Sequence, residues 1–327
     1  ERYFDEIRHA LALGVARLPI RRTIGPGDVA AGWRTYRLIQ ELRPDVLHGH
    51  GAKGGVIARL FGSLLRVSRY RVARLYSPHG GVLHYDPTTR KGRVFFALER
   101  LMDRFCDRLL FVSDYEKRTF LAKVGVPKAA HSIVYNGLNP PEFVPVPPAP
   151  DAADLLYVGT MRDLKGTDIF IDAVAEASRR LGRELTAVLV GDCEDLAPYE
   201  AQVARLGLSA RVRFLPPMPA REAFALGRVI VVPSRAEAMP YIVLEALAAG
   251  KTMIATAVGG IPEIFAAGSP ALVEPAVEAV AGAMAAAMAD EAGFAAHMPS
   301  RDELKARFGA DVMAARIEDA YRACLGR

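Results

Sequence analysis

Apolar runs and stretches of helical spacing alternate along the whole chain. In the first part, short apolar runs such as DVLHGH and RLLFVS are separated by longer amphipathic stretches. Strands that alternate with helices are typical of a parallel sheet with helices on its faces. The predicted strands are 45–50, 71–81 and 108–113, and the predicted helices are 29–42, 52–65, 93–105 and 114–124.

A proline-rich segment, PPEFVPVPPAPDAAD, interrupts this alternation at 140–154. Proline lacks the N–H group that a sheet requires and stiffens the backbone, so the segment indicates a linker. A second alternating series follows it. Its predicted strands are 154–160, 185–192, 212–216, 229–234 and 251–257, and its predicted helices are 167–181, 195–206, 221–226 and one that starts at Pro240 and stops at Gly250.

Two such series predict an α/β protein with two doubly wound Rossmann-like domains that face a cleft. We expect an N-terminal domain over 1–142, a linker over 143–153 and a C-terminal domain over 154–310. A last helix, 311–327, is expected to pack back toward the N-terminal domain. In doubly wound sheets, ligands bind at the carboxyl ends of the strands, which here would border the cleft.

The composition agrees with two globular domains. The chain has 327 residues, 51% of them hydrophobic, which is more than one core usually accommodates. No apolar run reaches the length of a membrane span. The cysteines, Cys106, Cys193 and Cys324, are far apart and indicate neither a disulfide framework nor a zinc site, as in a reducing cytoplasm. Because the first residue is Glu1 rather than Met, we expect the chain to begin inside a longer protein.

The net charge of +5 is distributed unevenly. No Asp or Glu occurs between Val46 and Tyr85, a stretch that carries several cations. A solvated basic face is one interpretation, and attraction to an anionic surface such as the inner face of the cell membrane is the other. No nucleic-acid recognition motif accompanies the charge, so nucleic acid is not an expected partner. The cations of this stretch are Lys53, Arg59, Arg66, Arg69, Arg71 and Arg74.

The segment SRAEAMPYIVLEALAAG, 234–250, carries two glutamates eight positions apart. Proline at a first helical position is a start signal, and the amides near Met239, Tyr241 and Ile242 would then form an anion site suited to a diphosphate. A diphosphate repels carboxylates, so Glu237 and Glu245 would contact neutral hydroxyl groups. The arrangement suits a nucleotide sugar. The residues alone also allow a first-turn glutamate followed by a solvated one.

A second segment, YVGTMRDLKG at 157–166, follows the first strand of the second series and opens a helix. A pair of cations there can neutralise a diphosphate leaving group as its charge develops. We predict that Lys165 and Arg162 supply these cations and that Gly159 contributes to the same nucleotide site. Two solvated surface cations are the alternative.

Together these motifs resemble the retaining family 4 glycosyltransferases of GT-B fold. The hallmark of that family is E-x7-E, a helix that ends at glycine and then GG-x-x-E, read here as Glu237, Glu245, Gly250 and the segment 259–263. The usual Gly-Arg, four residues, Lys-Gly pattern is matched at Lys165 but has Thr160 at the arginine position. Members of the family also begin with a strand and a glycine-rich loop, whereas this chain begins with a predicted helix, RYFDEIRHALALG. By this resemblance the chain lacks that first unit.

The resemblance assigns roles to individual residues. Glu237 would face the donor sugar and Glu245 the ribose hydroxyls. His79, in SPHGG at a predicted strand end, would lie near the donor sugar or the acceptor, although a lone histidine is most often structural. The acidic turn at 192–195 is read as helix capping rather than a metal site, because the family needs no Asp-x-Asp clamp. No metal and no cofactor beyond the nucleotide sugar are expected.

These observations predict a metal-independent glycosyltransferase that moves a sugar from a nucleotide-diphosphate donor to an acceptor hydroxyl with retention. The first domain would hold a carbohydrate or lipid-linked acceptor, as in synthesis of lipopolysaccharide or another cell-surface polysaccharide or glycolipid. A cytoplasmic enzyme, peripheral on the inner membrane face, fits the basic first domain. A nucleotide-sugar 2-epimerase of the same fold and a non-catalytic nucleotide-sugar-binding protein are the rival interpretations. The sugar, the base, the acceptor and the oligomeric state are not specified by the sequence.

Overall fold

The computed structural model describes residues 5, 7–12, 14–18 and 27–326. The predicted entry segment 2–14 therefore lies partly outside the described residues. In its described part, Arg8–Ala10 form one turn of 3-10 helix. The first and last residues of the predicted domains, at positions 1 and 327, lie outside the described residues as well.

In the part of the chain that the structure describes, ten strands form two separate parallel sheets, as the alternating pattern predicts. The first sheet has the order β1-β2-β3-β4 and the second the order β10-β9-β8-β5-β6-β7. The strands are β1 (Val46–His50), β2 (Ala73–Ser77), β3 (Arg108–Phe111), β4 (Ala130–Ile133), β5 (Ala153–Val158), β6 (Ala187–Val190), β7 (Val212–Leu215), β8 (Gly227–Val232), β9 (Thr252–Thr256) and β10 (Leu272–Val273).

Helices connect the strands and cover the sheets. The helix predictions at 29–42, 52–65, 93–105, 114–124, 167–181, 195–206 and 221–226 agree with the structure to within a few residues. The helices are α1 (Gly27–Leu42), α2 (Gly51–Val67), α3 (Arg90–Asp103), α4 (Asp114–Lys123), α5 (Thr167–Leu181), α6 (Ala197–Arg205), α7 (Ala220–Phe224), α8 (Tyr241–Ala248), α9 (Val277–Ala289), α10 (Glu291–Ala295), α11 (Arg301–Phe308) and α12 (Ala310–Leu325).

Three features of the elements differ from the predictions. The edge strand β4 was not predicted because its sequence, AHSI, is short and only half apolar, and the two-residue β10 is too short to give a pattern. Helix α8 begins at Tyr241 rather than at Pro240, whose backbone is extended with ψ 126°. Proline therefore precedes this helix instead of forming its first residue.

The proline-rich segment is held against the second sheet's helices. Pro140–Phe143 form a short 3-10 turn. Beyond it, the Val146 N–H donates to Ala249 O at 2.9 Å and the Ala149 N–H donates to Ala225 O at 2.8 Å. These bonds fix the direction in which the chain enters β5.

One large apolar core lies around the second sheet, and smaller clusters lie around the first. In the second core, residues such as Leu155, Val188 and Ile230 are fully buried because they occupy central parallel strands covered on both faces. Helix α12 packs on the first sheet, where Ala320 contacts a cluster that includes Leu75. No helix in the described part of the chain is both long enough and apolar enough to span a bilayer.

Candidate functional site

A cavity of about 280 Å³ lies between the carboxyl ends of the two sheets. Its walls come from both halves of the chain, as expected for a ligand site at the carboxyl ends of parallel strands. Six of the predicted site residues line it. The lining residues are His79, His84, Val112, Asn136, Arg162, Leu164, Lys165, Ala236, Glu237, Ala238, Met239, Pro240 and Tyr241.

An ion pair crosses the floor of this cavity. Lys165 Nζ lies 2.5 Å from Glu237 Oε1, and the Ser234 hydroxyl donates to the same carboxylate oxygen at 2.7 Å. The Glu237 carboxylate is nearly buried, with 8% of the residue exposed. A carboxylate that is buried must be paired or hydrogen-bonded, and here both conditions are met. The pair fixes the ammonium group at the position where the two segments meet.

The turn that carries Lys165 requires glycine after it. Gly166 has φ 67°, and a Cβ atom there would lie 1.9 Å from Pro233 O. Only glycine permits this left-handed conformation and close backbone approach together. The Lys-Gly pair is therefore explained by packing: the glycine lets the loop after β5 lie against the loop after β8, which brings Lys165 to Glu237.

Arg162 lies in the same loop after β5 as Lys165, and its side chain is exposed at the cavity. Its backbone N–H donates to the Thr167 hydroxyl at 3.2 Å, while its guanidinium has no hydrogen-bond or ion-pair partner among the residues that the structure describes. Arg162 thus differs from Lys165, whose charge is already paired. An anion that enters the cavity would meet a cation that is not otherwise engaged.

The N-terminus of α8 opens beside these groups. No side chain caps the helix, and Met239, Pro240 and Tyr241 line the cavity. The N-terminal end of a helix attracts anions through its amides and its dipole. Asn136 of the first half braces the segment, because its Nδ2 donates to Met239 O at 2.8 Å.

Two glycines in succession support the loop that holds Glu237. Gly259 has φ 63°, and a Cβ there would lie 1.9 Å from Glu237 O. A Cβ on Gly260 would lie 2.2 Å from Ala238 O, and the Gly260 N–H donates to that oxygen at 2.9 Å. The GG part of the GG-x-x-E motif is thus needed for direct backbone contact behind the glutamate.

Three histidines lie at the carboxyl ends of β1 and β2. His79 lines the cavity with φ 52°, and its Nε2 shares a 2.8 Å hydrogen bond with His50 Nδ1. Burial by the cleft walls, followed by the charge of His50, lowers the pKa of His79 to about 4. At neutral pH the His79 imidazole is therefore uncharged and can act as a hydrogen-bond donor or acceptor.

His48 connects the last helix to the first sheet. Its Nδ1 is 2.9 Å from the Tyr321 hydroxyl of α12, and its Nε2 is 2.9 Å from the Ser77 hydroxyl. Burial, followed by the charges of His50 and His79, lowers the pKa of His48 to about 3. His48 is thus a neutral bridge that holds the strand ends bearing the other two histidines.

Three predicted site residues do not line the 280 Å³ cavity: Glu245, Gly159 and Ile242. Glu245 lies a helical turn further into α8, where burial, followed by the charge of Glu142, raises the pKa of its carboxyl group. Gly159 contacts Gly191, whose Cβ would lie 1.9 Å from Gly159 O. Their predicted nucleotide contacts stay predictions. No three His, Cys, Asp or Glu side chains in the described part of the chain are arranged to hold a metal ion.

Sequence reasoning missed two polar contributors to the cavity. His84 lines the wall from the turn after β2, and Ser234 holds Glu237 from behind. Ser234 stands at the start of the segment with the two glutamates, so its position was a usable signal. His84 has no such signal, because a histidine in the turn GVLH is indistinguishable from a surface residue.

The two halves are joined directly beneath the cavity. Glu263 accepts hydrogen bonds from the Asp114 and Tyr115 amides at 2.9 and 2.8 Å, at the N-terminus of α4, and from the Tyr135 hydroxyl at 3.1 Å. The last glutamate of GG-x-x-E therefore caps a helix of the other half. This contact sets where the first-half wall lies relative to Glu237.

Comparisons with known proteins match both halves. Residues 152–290 match the family profile described as "Glycosyl transferases group 1", and residues 2–141 match "Glycosyltransferase Family 4". The chain belongs to the family 4 glycosyltransferases of group 1. This membership confirms the family predicted from the E-x7-E, Lys-Gly and GG-x-x-E motifs.

Solved structures of similar shape are GT-B glycosyltransferases, and the predicted GT-B fold is confirmed. HepE of Anabaena, in complex with UDP and glucose, is 20% identical, with a TM-score of 0.75 over 92% of this chain and 84% of that one. Sucrose-phosphate synthase of Thermosynechococcus elongatus is 21% identical, with a TM-score of 0.77 over 95% and 83%.

Among curated relatives, this family member resembles the D-inositol 3-phosphate glycosyltransferase of Kribbella flavida, at 27% identity over 274 residues. That match covers 75% of this chain and 63% of the relative. The alpha-D-kanosaminyltransferase of Streptomyces kanamyceticus is 31% identical over 38% of this chain and 33% of its own length. The chain thus spans less than two thirds of the length of either relative.

Proposed function

We propose that this glycosyltransferase moves a sugar from a nucleotide-diphosphate donor to an acceptor hydroxyl with retention of configuration. The observation that carries the proposal is the Lys165–Glu237 pair, at 2.5 Å, beside Arg162 and the uncapped start of α8. Cations and a helix N-terminus suit a diphosphate, while a paired carboxylate suits the hydroxyls of the attached sugar.

In the proposed reaction the bond between the sugar carbon C1 and the diphosphate oxygen breaks, and the acceptor oxygen bonds to C1 on the same face. The departing phosphate oxygen takes the acceptor proton. Lys165 and Arg162 stabilise the negative charge that develops on the diphosphate, which lowers the barrier because the charges are positioned in advance. Glu237 orients the sugar and Lys165, and no metal takes part.

The donor is proposed to be a uridine diphosphate sugar. HepE, a structural neighbour, is described in complexes with UDP and UDP-glucose. The relatives named as D-inositol 3-phosphate glycosyltransferases favour a hydroxyl-rich ring as the acceptor. The acceptor is proposed to be a polysaccharide or glycolipid intermediate that the enzyme reaches from the cytoplasm, at the inner face of the membrane. This location is supported by exposed apolar side chains of α2 and α3, such as Val67 and Val94, which lie among basic residues.

The proposal predicts that Lys165→Ala lowers kcat by about 100-fold to 1000-fold, since loss of one electrostatic stabiliser costs about 3–4 kcal/mol in the barrier. The measurement is release of nucleoside diphosphate and glycosylated product with a panel of nucleotide sugars and acceptors. Lys128→Ala, an exposed lysine remote from the cavity, is the matched control and should turn over normally. Near-normal turnover by Lys165→Ala would rule out the assigned role.

A second measurement separates transfer from the rival activities. Thermal unfolding with UDP-, GDP- and ADP-sugars, with and without Glu245→Ala, identifies the nucleotide that stabilises the fold. Conversion of the donor sugar without any acceptor would indicate an epimerase. Stabilisation without any turnover would indicate a binding protein.

A further inference from the structure

A second cleft, of about 450 Å³, lies at the opposite end of the first sheet from the sugar cavity. It is formed at the N-terminal ends of β2, β3 and β4, whereas the cavity lies at the carboxyl ends. Four arginines and a single aspartate line it. These charged residues are Arg66, Arg69, Arg71, Arg108 and Asp107.

The aspartate of this cleft is already saturated. Asp107 is bound by Arg66 Nη2 at 2.5 Å and by Arg74 Nη2 at 2.8 Å, and it also accepts the Arg74 N–H at 2.8 Å. Burial would raise the pKa of Asp107, but hydrogen bonds and charge from Arg74 and Arg66 outweigh it, so the pKa lies below its usual value. Asp107 has no capacity left to neutralise the other arginines.

Three arginines of the cleft therefore remain without an anion. Arg69, Arg71 and Arg108 make no hydrogen bond or ion pair through their side chains with any residue that the structure describes. The Nε atom of Arg108 is fully buried and has no hydrogen-bond partner in that set. A buried donor without an acceptor is costly, and the Arg108 charge is therefore not balanced from within the described protein.

Arg69 holds a conformation that favours glycine. It follows the end of α2 with φ 62°, the left-handed region in which helices usually place glycine or asparagine. A side chain with a Cβ pays a cost there of about 1 kcal/mol. The Arg69 side chain at this position lines the cleft.

We propose that this cleft is an anion site that binds a phosphate-bearing ligand through Arg69, Arg71 and Arg108. Guanidinium groups bind phosphate through paired, charge-assisted hydrogen bonds. Three cations from three elements converge there: the turn after α2, the entry to β2 and the first residue of β3. The ligand is either a soluble phosphorylated molecule or the headgroup of an anionic lipid.

The site is independent of the proposed transfer reaction. The strands β2 and β3 separate it from His79 and the sugar cavity, so a ligand there would not compete with a nucleotide sugar. The side wall formed by Ala323 and Cys324 belongs to α12, the helix whose Tyr321 contacts His48. Its occupant would therefore touch the same helix that supports the histidine cluster.

Binding of inorganic pyrophosphate, followed by calorimetry, tests the site. The sugar cavity is itself suited to a diphosphate, so the titrations use a background variant with Lys165→Ala and Arg162→Ala. In this background, pyrophosphate is expected to bind with an affinity that falls as salt is raised. No binding at low salt would overturn the proposal for soluble anions and leave only the vesicle measurement below to support it.

Matched variants locate the binding. Arg71→Ala is expected to weaken pyrophosphate binding about tenfold, since it removes one charge-assisted contact. Arg69→Gly is expected to weaken binding similarly while thermal stability stays equal or rises, because glycine relieves the left-handed strain. Arg205→Ala, which removes an exposed arginine of α6, is the control and should bind as the background does. Equal affinity in all variants would overturn the proposal.

Vesicle sedimentation distinguishes the two sources of phosphate. Capture by vesicles of phosphatidylglycerol and phosphatidylcholine, but not by phosphatidylcholine alone, with loss in the Arg69→Gly/Arg71→Ala double variant, would identify a lipid headgroup. Pyrophosphate binding without vesicle capture would identify a soluble ligand. Failure of both measurements would show that the cleft is not an anion site, and vesicle capture unaffected by the double variant would rule out a lipid headgroup as its ligand.

Discussion

The protonation state of each histidine beside the sugar cavity depends on the neighbouring side chains. His48 lies between the Tyr321 and Ser77 hydroxyls, and the rings of His48 and His50 are 4.2 Å apart. Two protonated rings at that distance would repel each other, and burial disfavours the charge further. The cluster is therefore a neutral hydrogen-bonding unit at physiological pH.

This state makes stability depend on pH. The pKa of His48 falls from 6.5 to about 3 on folding, so below pH 6.5 the unfolded chain binds a proton that the folded chain does not. Stability is full above pH 6.5 and declines on acidification toward pH 3, by at most about 1.4 kcal/mol per pH unit for one group. We expect His48→Asn to reduce the fall in melting temperature between pH 7 and pH 5.

The control for this prediction is His131→Asn, which removes an exposed histidine outside the cluster. The variant should keep the wild-type pH dependence. His48→Asn should flatten the curve only in part, because burial also lowers the pKa values of His50 and His79. A wild-type slope in His48→Asn would show that His48 is protonated equally in both states.

Helices α2 and α3 of the first half are joined by a buried ion pair. Arg59 of α2 donates from Nη1 to Glu99 Oε2 of α3 at 2.9 Å, and its guanidinium lies 4.1 Å from the centre of the Tyr76 ring. Arg59 is fully buried and Glu99 is 5% exposed. Sequence patterning assigns such residues to the solvent, and only the packing of two helices over β2 places them inside.

Glu99→Gln is expected to destabilise the protein by about 3 kcal/mol, because it leaves the Arg59 charge buried without an opposite charge. Chemical denaturation measures the loss. The double variant Arg59→Met/Glu99→Leu should be closer to the wild type, since it removes both buried charges. Glu318→Gln, in an exposed pair with Arg322, is the control and should change stability little. A small effect of Glu99→Gln would contradict this account.

At the scale of the whole molecule, function depends on the relative position of the two halves. The contacts beneath the cavity come from Glu263 to α4, from Ser113 Oγ to Ala238 O at 3.2 Å and from Asn136 to Met239. The contacts to Ala238 and Met239 reach the loop that carries Glu237, and the contact of Glu263 reaches the segment that packs behind that loop. The carboxylate of Glu263 also lies at the positive end of the α4 dipole.

Glu263→Ala removes the acceptor for two amides and the Tyr135 hydroxyl, a change that costs about 1–2 kcal/mol at a helix N-terminus. We expect the halves to separate more readily, with a larger radius of gyration in X-ray scattering and faster proteolysis within 140–150. Each half should stay folded. Glu184→Ala, an exposed glutamate before β6, is the control, and a scattering curve that is identical for all three proteins would contradict the prediction.

The motifs could be recognised in the sequence because each depends on the backbone conformation of a few neighbouring residues. Gly166, Gly259 and Gly260 stand where the backbone must turn left or approach another strand end, and such positions exclude other residues. The alternation of strands and helices was readable for the same reason. β4 and β10 were missed because a short edge strand has too few buried positions to show a period.

By itself the sequence determined the two-sheet α/β architecture, the glycosyltransferase family and the segments that meet at the cleft, since period and turn chemistry are properties of neighbouring residues. Only the tertiary structure decided which charges are paired. Lys165 is paired with Glu237 and Arg74 with Asp107, whereas Arg162 and Arg71 have no ion-pair partner among the residues that the structure describes. Ion pairs depend on the distance between charges in space, which the sequence does not state. In the same way, His48 and Tyr321 are 273 residues apart in the chain and come into contact only when the last helix packs on the first sheet.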